Sequence, residues 1–235
     1  PAVTEVLATC GYDFLWIDTE HAPNGPREVS AHILAARAHG VAPFVRVPWN
    51  DPVRIKPILE MGPAAIVVPF VNSAEEARKA VAACRYPPEG IRGFGPARAN
   101  GYGAVPLADY LEHAKREPWV VLQIEHVDAV ENLSEICAVP GIGSLFVGPF
   151  DLSASMNLAG QVTHPDVAAK LDSIARVAGE HSITFGAFAL SSDQKSLARW
   201  IDRGVSWIAL DTDQTLLRGA AIDALEALTR LRPHS

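Results

Sequence analysis

Short apolar runs, each closed off by Gly, Pro or a polar residue, recur along the whole chain, at residues 14–18, 42–47, 65–70, 119–125, 144–148, 184–190 and 206–210. They are rich in β-branched and aromatic side chains, the pattern of strands buried on both faces. Between them the apolar positions change to helical spacing, over 26–40, 73–85, 128–139, 165–181 and 193–204. Pro26 suits a first helical turn and Gly40 a helix end. Strand and helix alternate throughout, which predicts an α/β fold with a parallel sheet, either doubly wound or closed into a barrel. No Gly-x-Gly-x-x-Gly follows the first strand, and the strands end in Asp18, Arg46, Pro69, Glu125, Gly148 and Asp211. Functional groups at the ends of many strands suit a TIM (β/α)8 barrel, whereas an open sheet gathers them at one crevice.

Only seven strands are predicted. Residues 1–11 carry Val3, Val6, Leu7 and Cys10 at helical spacing and stop at Gly11, so a helix comes first. In a βα series a leading helix implies a strand before it, and a seven-stranded ring leaves two unpaired edges. The expectation is a single barrel domain over residues 1–235 whose first strand lies upstream of Pro1. Residues 86–106 hold five Gly and four Pro, a composition no core helix tolerates. They are predicted to form a surface or subunit-interface loop; the alternative is a lid that offers Arg92 and Arg98 to an anionic substrate.

Composition then acts mainly by exclusion. The chain has 235 residues, 49% hydrophobic and 20% charged, which is ordinary globular usage and not that of a disordered or fibrous protein. Twenty Lys+Arg against 27 Asp+Glu give a net charge of −7, which disfavours nucleic acid and anionic membrane surfaces as partners. The longest apolar run, 64–71, is far short of the ~20 residues of a membrane helix. Cys10, Cys84 and Cys137 stand apart without zinc-site spacing, and no signal-peptide pattern opens the chain, so a cytoplasmic protein is expected.

Three segments carry candidate chemistry. Asp18, Glu20 and His21 lie within four residues at one strand end, and a carboxylate beside an imidazole raises its basicity, as a general base requires. The plainer alternative has Asp18 or Asn24 capping the next helix. Arg46 stands inside an apolar strand, where a guanidinium needs an anion: a protein carboxylate, a substrate carboxylate or a developing enolate. Glu125 and Asp151 follow consecutive strands, so in a barrel both project into one mouth, where they repel unless a cation or proton lies between them. Oxygen ligands with open positions suit Mg²⁺ or Mn²⁺, and Co²⁺ is admissible; the alternative is that Asp151 caps a helix starting at Leu152. The Gly148–Pro149 turn is expected to leave successive backbone N–H groups free for a carboxylate. His32, His39, His113 and His181 fall in helical stretches and are expected to face solvent. None of the five lysines ends a strand, which disfavours a Schiff-base mechanism.

Taken in order, Asp18-x-Glu20-His21-Ala22-Pro23-Asn24, Val45-Arg46-x-Pro48-x-Asn50-Asp51, the segment 85–93, Gln123-x-Glu125, Gly148-Pro149-x-Asp151-Leu152-Ser153 and Thr215-Leu216-Leu217 resemble the HpcH/HpaI aldolase family over essentially the whole chain. The resemblance implies a (β/α)8 class II pyruvate aldolase, a lyase of aromatic- or sugar-acid catabolism that cleaves 4-hydroxy-2-oxo acids reversibly to pyruvate and an aldehyde. It implies a divalent metal on Glu125 and Asp151, Arg46 at the enolate oxygen, and His21, paired with Asp18, relaying the proton. Gln123 and the Gly148, Pro149 and Phe150 turn would contact pyruvate, and a last helix exchanged between subunits would give dimers to hexamers. Thr19, Phe150 and Asn157 depart from residues common in the family, and Phe150 is expected to narrow the pocket beside the metal. Two alternatives are an acyl-CoA lyase of the citrate-lyase β type and a non-catalytic oligomeric pocket protein.

Overall fold

A computed structural model describes residues 1–231; residues 232–235 of the expected domain lie outside the described ones. Seven strands run parallel in the order β1 to β7: β1 (Phe14–Asp18), β2 (Ala42–Arg46), β3 (Ala65–Val68), β4 (Trp119–Ile124), β5 (Ser144–Val147), β6 (Phe185–Ala189) and β7 (Trp207–Leu210). They form a nearly closed TIM-like barrel. Among the described residues no pairing joins β7 back to β1, but the rings of Phe14 and Trp207 meet across that opening at 5.5 Å.

The helices are α1 (Ala2–Ala8), α2 (Pro26–Ala38), α3 (Pro52–Glu60), α4 (Ala74–Cys84), α5 (Leu107–Ala114), α6 (Val127–Glu131), α7 (Leu133–Cys137), α8 (Pro149–Ser155), α9 (Pro165–Glu180), α10 (Gln194–Asp202) and α11 (Asp213–Arg230). Several begin where a side chain takes up a free N–H of the first turn. Asp51 accepts from the Val53 amide, Ser73 from Glu76, and Thr212 and Thr215 cap α11 reciprocally. The helix expected over 128–139 is interrupted at Asn132, whose side chain donates to the Asn72 carbonyl at 2.9 Å.

Two apolar layers explain why the strands read as buried on both faces. Outside the sheet, Val45, Ile66, Leu122, Leu145 and Ala187 meet the helices; inside the barrel, Phe44, Val67, Val121 and Phe146 form a separate cluster with Trp16 and Trp207. Trp207 fills the interior across Gly186, where a Cβ would come within 2.2 Å of the indole, and its ring N–H donates to Ser144 Oγ at 2.9 Å. Inward positions alternate along each strand, so the interior residues Trp16, Phe44 and Val121 are followed, one inward position toward the C-terminal ends, by Asp18, Arg46 and Gln123.

The leading helix expected within residues 1–11 is α1, which packs on α2 through Thr4 and Ala8 and leaves Val3 and Val6 exposed. Two expectations are corrected. Thr4 Oγ1 lies 2.6 Å from His32 Nδ1, so His32 is half-buried in that contact and not solvent-facing, and burial lowers its proton affinity. The segment 86–106 lies at the far end of the barrel from the strand-end ring, where α3 and α4 finish. Buried Arg92 is bound there to Glu60 at 3.0 Å and to the Tyr110 hydroxyl at 3.1 Å, and its guanidinium sits 4.5 Å from the Tyr86 ring. It is unavailable to a substrate at the mouth, which removes the lid reading.

Candidate active site

At the C-terminal ends of the strands the barrel interior turns polar. Arg46, last residue of β2, extends its fork over the end of β1: Nε and Nη2 donate to the two Asp18 oxygens at 2.9 and 2.6 Å, and Nη1 lies 3.0 Å from Glu20 Oε2. Below it the guanidinium rests on the Trp16 ring at 5.6 Å, and Trp16 packs on Phe146 at 4.6 Å. A planar cation held by two carboxylates and an aromatic face has little rotational freedom left. Burial pushes the Asp18 carboxyl up, but the hydrogen bonds and charge of Arg46 outweigh it and leave the group below its ordinary value. Glu20 is raised, because burial exceeds what Arg46 and His21 return.

His21 is exposed and sits 3.9 Å from Glu20, not on Asp18. The expected Asp18–His21 side-chain pair is therefore absent: Asp18 already gives both oxygens to Arg46, and Oδ1 also accepts the Glu20 amide at 2.9 Å. Neither Asp18 nor Asn24 caps α2, whose cap is Gly25; Asn24 instead donates to the Asp18 carbonyl at 2.8 Å.

Glu125 follows β4 and is 1% exposed. Oε1 accepts the Phe70 amide at 2.9 Å, and Oε2 is bound by the Gln123 side-chain nitrogen. Phe70 adopts φ +51, a conformation costly for an aromatic residue. It aims its N–H at the carboxylate while its ring leans on Trp49 at 6.0 Å. Nothing in the sequence marks Phe70, because its contribution is a backbone group. Desolvation, reinforced by the carboxylates of Asp151 and Glu20, pushes Glu125 up to about 7. Gly148 lies against it; a Cβ there would stand 2.7 Å from Oε2.

Asp151 is an exposed first-turn residue of α8, whose cap is Gly148, so Asp151 caps no helix. Gly148 donates its own N–H to the Ile124 carbonyl at 3.1 Å, and α8 starts at Pro149, which has none. The Phe150 side chain is 56% exposed and faces a cavity against α9 and α10.

Glu125 and Asp151 fit a hard divalent cation. Both offer oxygen, their charges are close enough to raise Glu125, and Gln123 Oε1 is buried nearby without a partner. Among the described residues no group of three or more His, Cys, Asp or Glu forms a closed metal cage. Two carboxylates would leave such an ion open to water and substrate, as catalytic use requires.

A barrel with such carboxylates at its strand ends, beside a fixed arginine, has the layout of a barrel enzyme's active site. The family model described as HpcH/HpaI aldolase/citrate lyase matches residues 1–220. The chain belongs to this HpcH/HpaI family. It is 42% identical over 221 residues to the hydroxypyruvate/pyruvate aldolase of Sagittula stellata, covering 94% of this chain and 86% of that protein. It is likewise 42% identical over 225 residues to the 4-hydroxy-2-oxo-heptane-1,7-dioate aldolase of Shigella flexneri, covering 95% and 82%. An HpcH/HpaI aldolase/citrate lyase family protein from Burkholderia cenocepacia superposes with a TM-score of 0.91 at 33% identity, covering 97% of this chain and 90% of that one.

Proposed function

We propose that this chain is a class II pyruvate aldolase that cleaves 4-hydroxy-2-oxo acids reversibly to pyruvate and an aldehyde. The observation that carries the reading is the convergence of Arg46 with the Glu125 and Asp151 carboxylates at the C-terminal end of the barrel. Glu125 and Asp151 are the residues that would hold a divalent cation, Mg²⁺, Mn²⁺ or Co²⁺, and the chemistry it would supply there is Lewis-acid polarisation of a keto oxygen. Arg46 supplies a second, fixed positive charge where the enolate oxygen develops, at no reorganisation cost because Asp18 and Glu20 already hold its fork. Gln123, beside Glu125, and the Gly148, Pro149 and Phe150 turn bind pyruvate. His21, exposed and near Glu20, exchanges the proton between the aldol hydroxyl and solvent, and Asp18 acts through Arg46.

The chain works as one barrel domain. Helix α11 has no buried residue and exposes Leu217, Leu225 and Leu228, which supports its exchange onto a second subunit in a homo-oligomer. No described helix is long and apolar enough to cross a membrane. Three free thiols, two of them buried, support a reducing, cytoplasmic setting. The acyl-CoA alternative gains nothing, since buried Arg92 is committed to Glu60 at the opposite end of the barrel.

Exchange of the pyruvate methyl protons for deuterium, followed by proton NMR, tests the proposal. Exchange is expected with Mg²⁺ or Mn²⁺ and not in EDTA, and His21→Ala should slow the aldol cleavage of a 4-hydroxy-2-oxo acid roughly 10²–10⁴-fold. Full exchange in EDTA, or undiminished cleavage by His21→Ala, refutes it.

A further inference from the structure

The segment that leaves β1 holds one side chain firmly and leaves the next one loose. Thr19 is tied to the Arg46 carbonyl twice, through its amide at 3.1 Å and its hydroxyl at 2.6 Å. The Glu20 amide donates to Asp18 Oδ1 at 2.9 Å, and the Asn24 side chain donates to the Asp18 carbonyl at 2.8 Å. From this fixed backbone the Glu20 side chain, 10% exposed, turns into the strand-end ring, whereas that of His21 is 66% exposed.

Glu20 Oε2 has acceptor capacity to spare. It lies 3.0 Å from Arg46 Nη1, yet it is buried and makes no well-aligned hydrogen bond, because the fork of Arg46 is aimed at the two Asp18 oxygens. The same Oε2 faces His21 Nε2 at 3.9 Å, about an ångström beyond hydrogen-bond reach. A buried carboxylate oxygen without a proper donor is costly. Rotation of the exposed imidazole supplies one, and catalytic hydrogen bonds commonly tighten in this way when substrate binds.

We propose that Glu20 is the positioning residue of the proton transfer: it accepts the Nε2–H of His21 and so fixes Nδ1 as the nitrogen that takes the aldol proton. The inference rests on the aldolase reading and deepens it. The 4-hydroxyl proton passes to Nδ1, the C3–C4 bond breaks with its electron pair going to the pyruvate enolate, and C4 leaves as the aldehyde carbonyl. The imidazolium so formed is stabilised by the Glu20 carboxylate. It then gives up its proton to solvent, and C3 of the enolate takes one from solvent. Asp18, both of whose oxygens are on Arg46, has no part in this contact.

A double-mutant cycle of Glu20→Gln and His21→Ala, read as kcat and KM for the cleavage of 4-hydroxy-2-oxopentanoate in saturating Mg²⁺, tests the proposal. Glu20→Gln keeps the shape and removes the charge. Alone it should lower kcat about tenfold or more with KM within about twofold, since the contact gains strength only as the imidazolium forms. In the His21→Ala background the same change should alter kcat by less than about twofold. A purely structural loss, or one acting through Arg46, would slow both backgrounds by the same factor. Equal factors, or a wild-type kcat for Glu20→Gln alone, overturn this inference and leave the aldolase reading standing. A wild type that neither cleaves the substrate nor exchanges pyruvate protons overturns both.

Discussion

Replacing Glu125 by Gln isolates the electrostatic stress in the site. The ordinary carboxyl value is 4.5, and burial together with Asp151 and Glu20 raises Glu125 to about 7. The folded chain therefore holds this proton more tightly than the unfolded one. The corresponding stability is fully present below about pH 4.5 and is lost as pH rises through about 7. At ~1.4 kcal/mol per tenfold change in proton affinity, the loss is about 3 kcal/mol. The substituted amide keeps the shape without the charge: its oxygen accepts the Phe70 amide, and its NH₂ meets Gln123, whose Oε1 is buried without a partner and turns to accept it. In EDTA at pH 8, Glu125→Gln should be the more stable protein by up to about 3 kcal/mol, read in thermal unfolding at roughly 2–4 °C per kcal/mol for a chain of this size. At pH 4 the two proteins should coincide. Saturating Mg²⁺ should reverse the order at pH 8, because only the wild type gains binding energy. A wild-type stability that is flat from pH 5 to 8 in EDTA, or an equal slope in the variant, refutes the reasoning.

Other substitutions probe the same geometry. Gly148→Ala places a Cβ 2.7 Å from Glu125 Oε2 at an ordinary backbone conformation, so space alone is violated. It should cost about 1–3 kcal/mol in stability and weaken Mn²⁺ binding at least severalfold by calorimetry; unchanged affinity would contradict the packing argument. Arg46→Lys keeps the charge but loses the fork on Asp18, and pyruvate exchange should fall roughly 10²-fold. A near-wild-type rate would show that any cation suffices. Gly186→Ala drives a methyl into the Trp207 indole, within 2.2 Å, and should lower the midpoint of thermal unfolding or prevent folding; a wild-type midpoint would mean that Trp207 has room to move.

Much of the fold was legible because strand burial and helix spacing are local signals. The seven apolar runs each contain an observed strand, and Pro26 and Ser73 lie at helix starts, Pro26 through its fixed φ and Ser73 through its side-chain oxygen. The leading helix was legible as a helix, but not its packed face: Val3 and Val6 form an apolar stripe, yet the contact with α2 is made by Thr4 and Ala8, small enough for close approach. The loop 86–106 was legible as a loop, but which end of the barrel it occupies depends on the direction of α4, a tertiary fact.

The candidate site divides in the same way. The linear order of residues is enough to specify the kinds of chemistry present, a buried guanidinium, two carboxylates on consecutive strands and a histidine at a strand end, because such residues in apolar strands need partners. Which partners they take is settled only in the folded chain. Asp18 serves Arg46 and leaves His21 to Glu20, and Glu125 is held by a Phe70 backbone amide no motif contains. Partner choice rests on distances of a few tenths of an ångström between groups far apart in the chain, and a one-dimensional pattern carries no such distances.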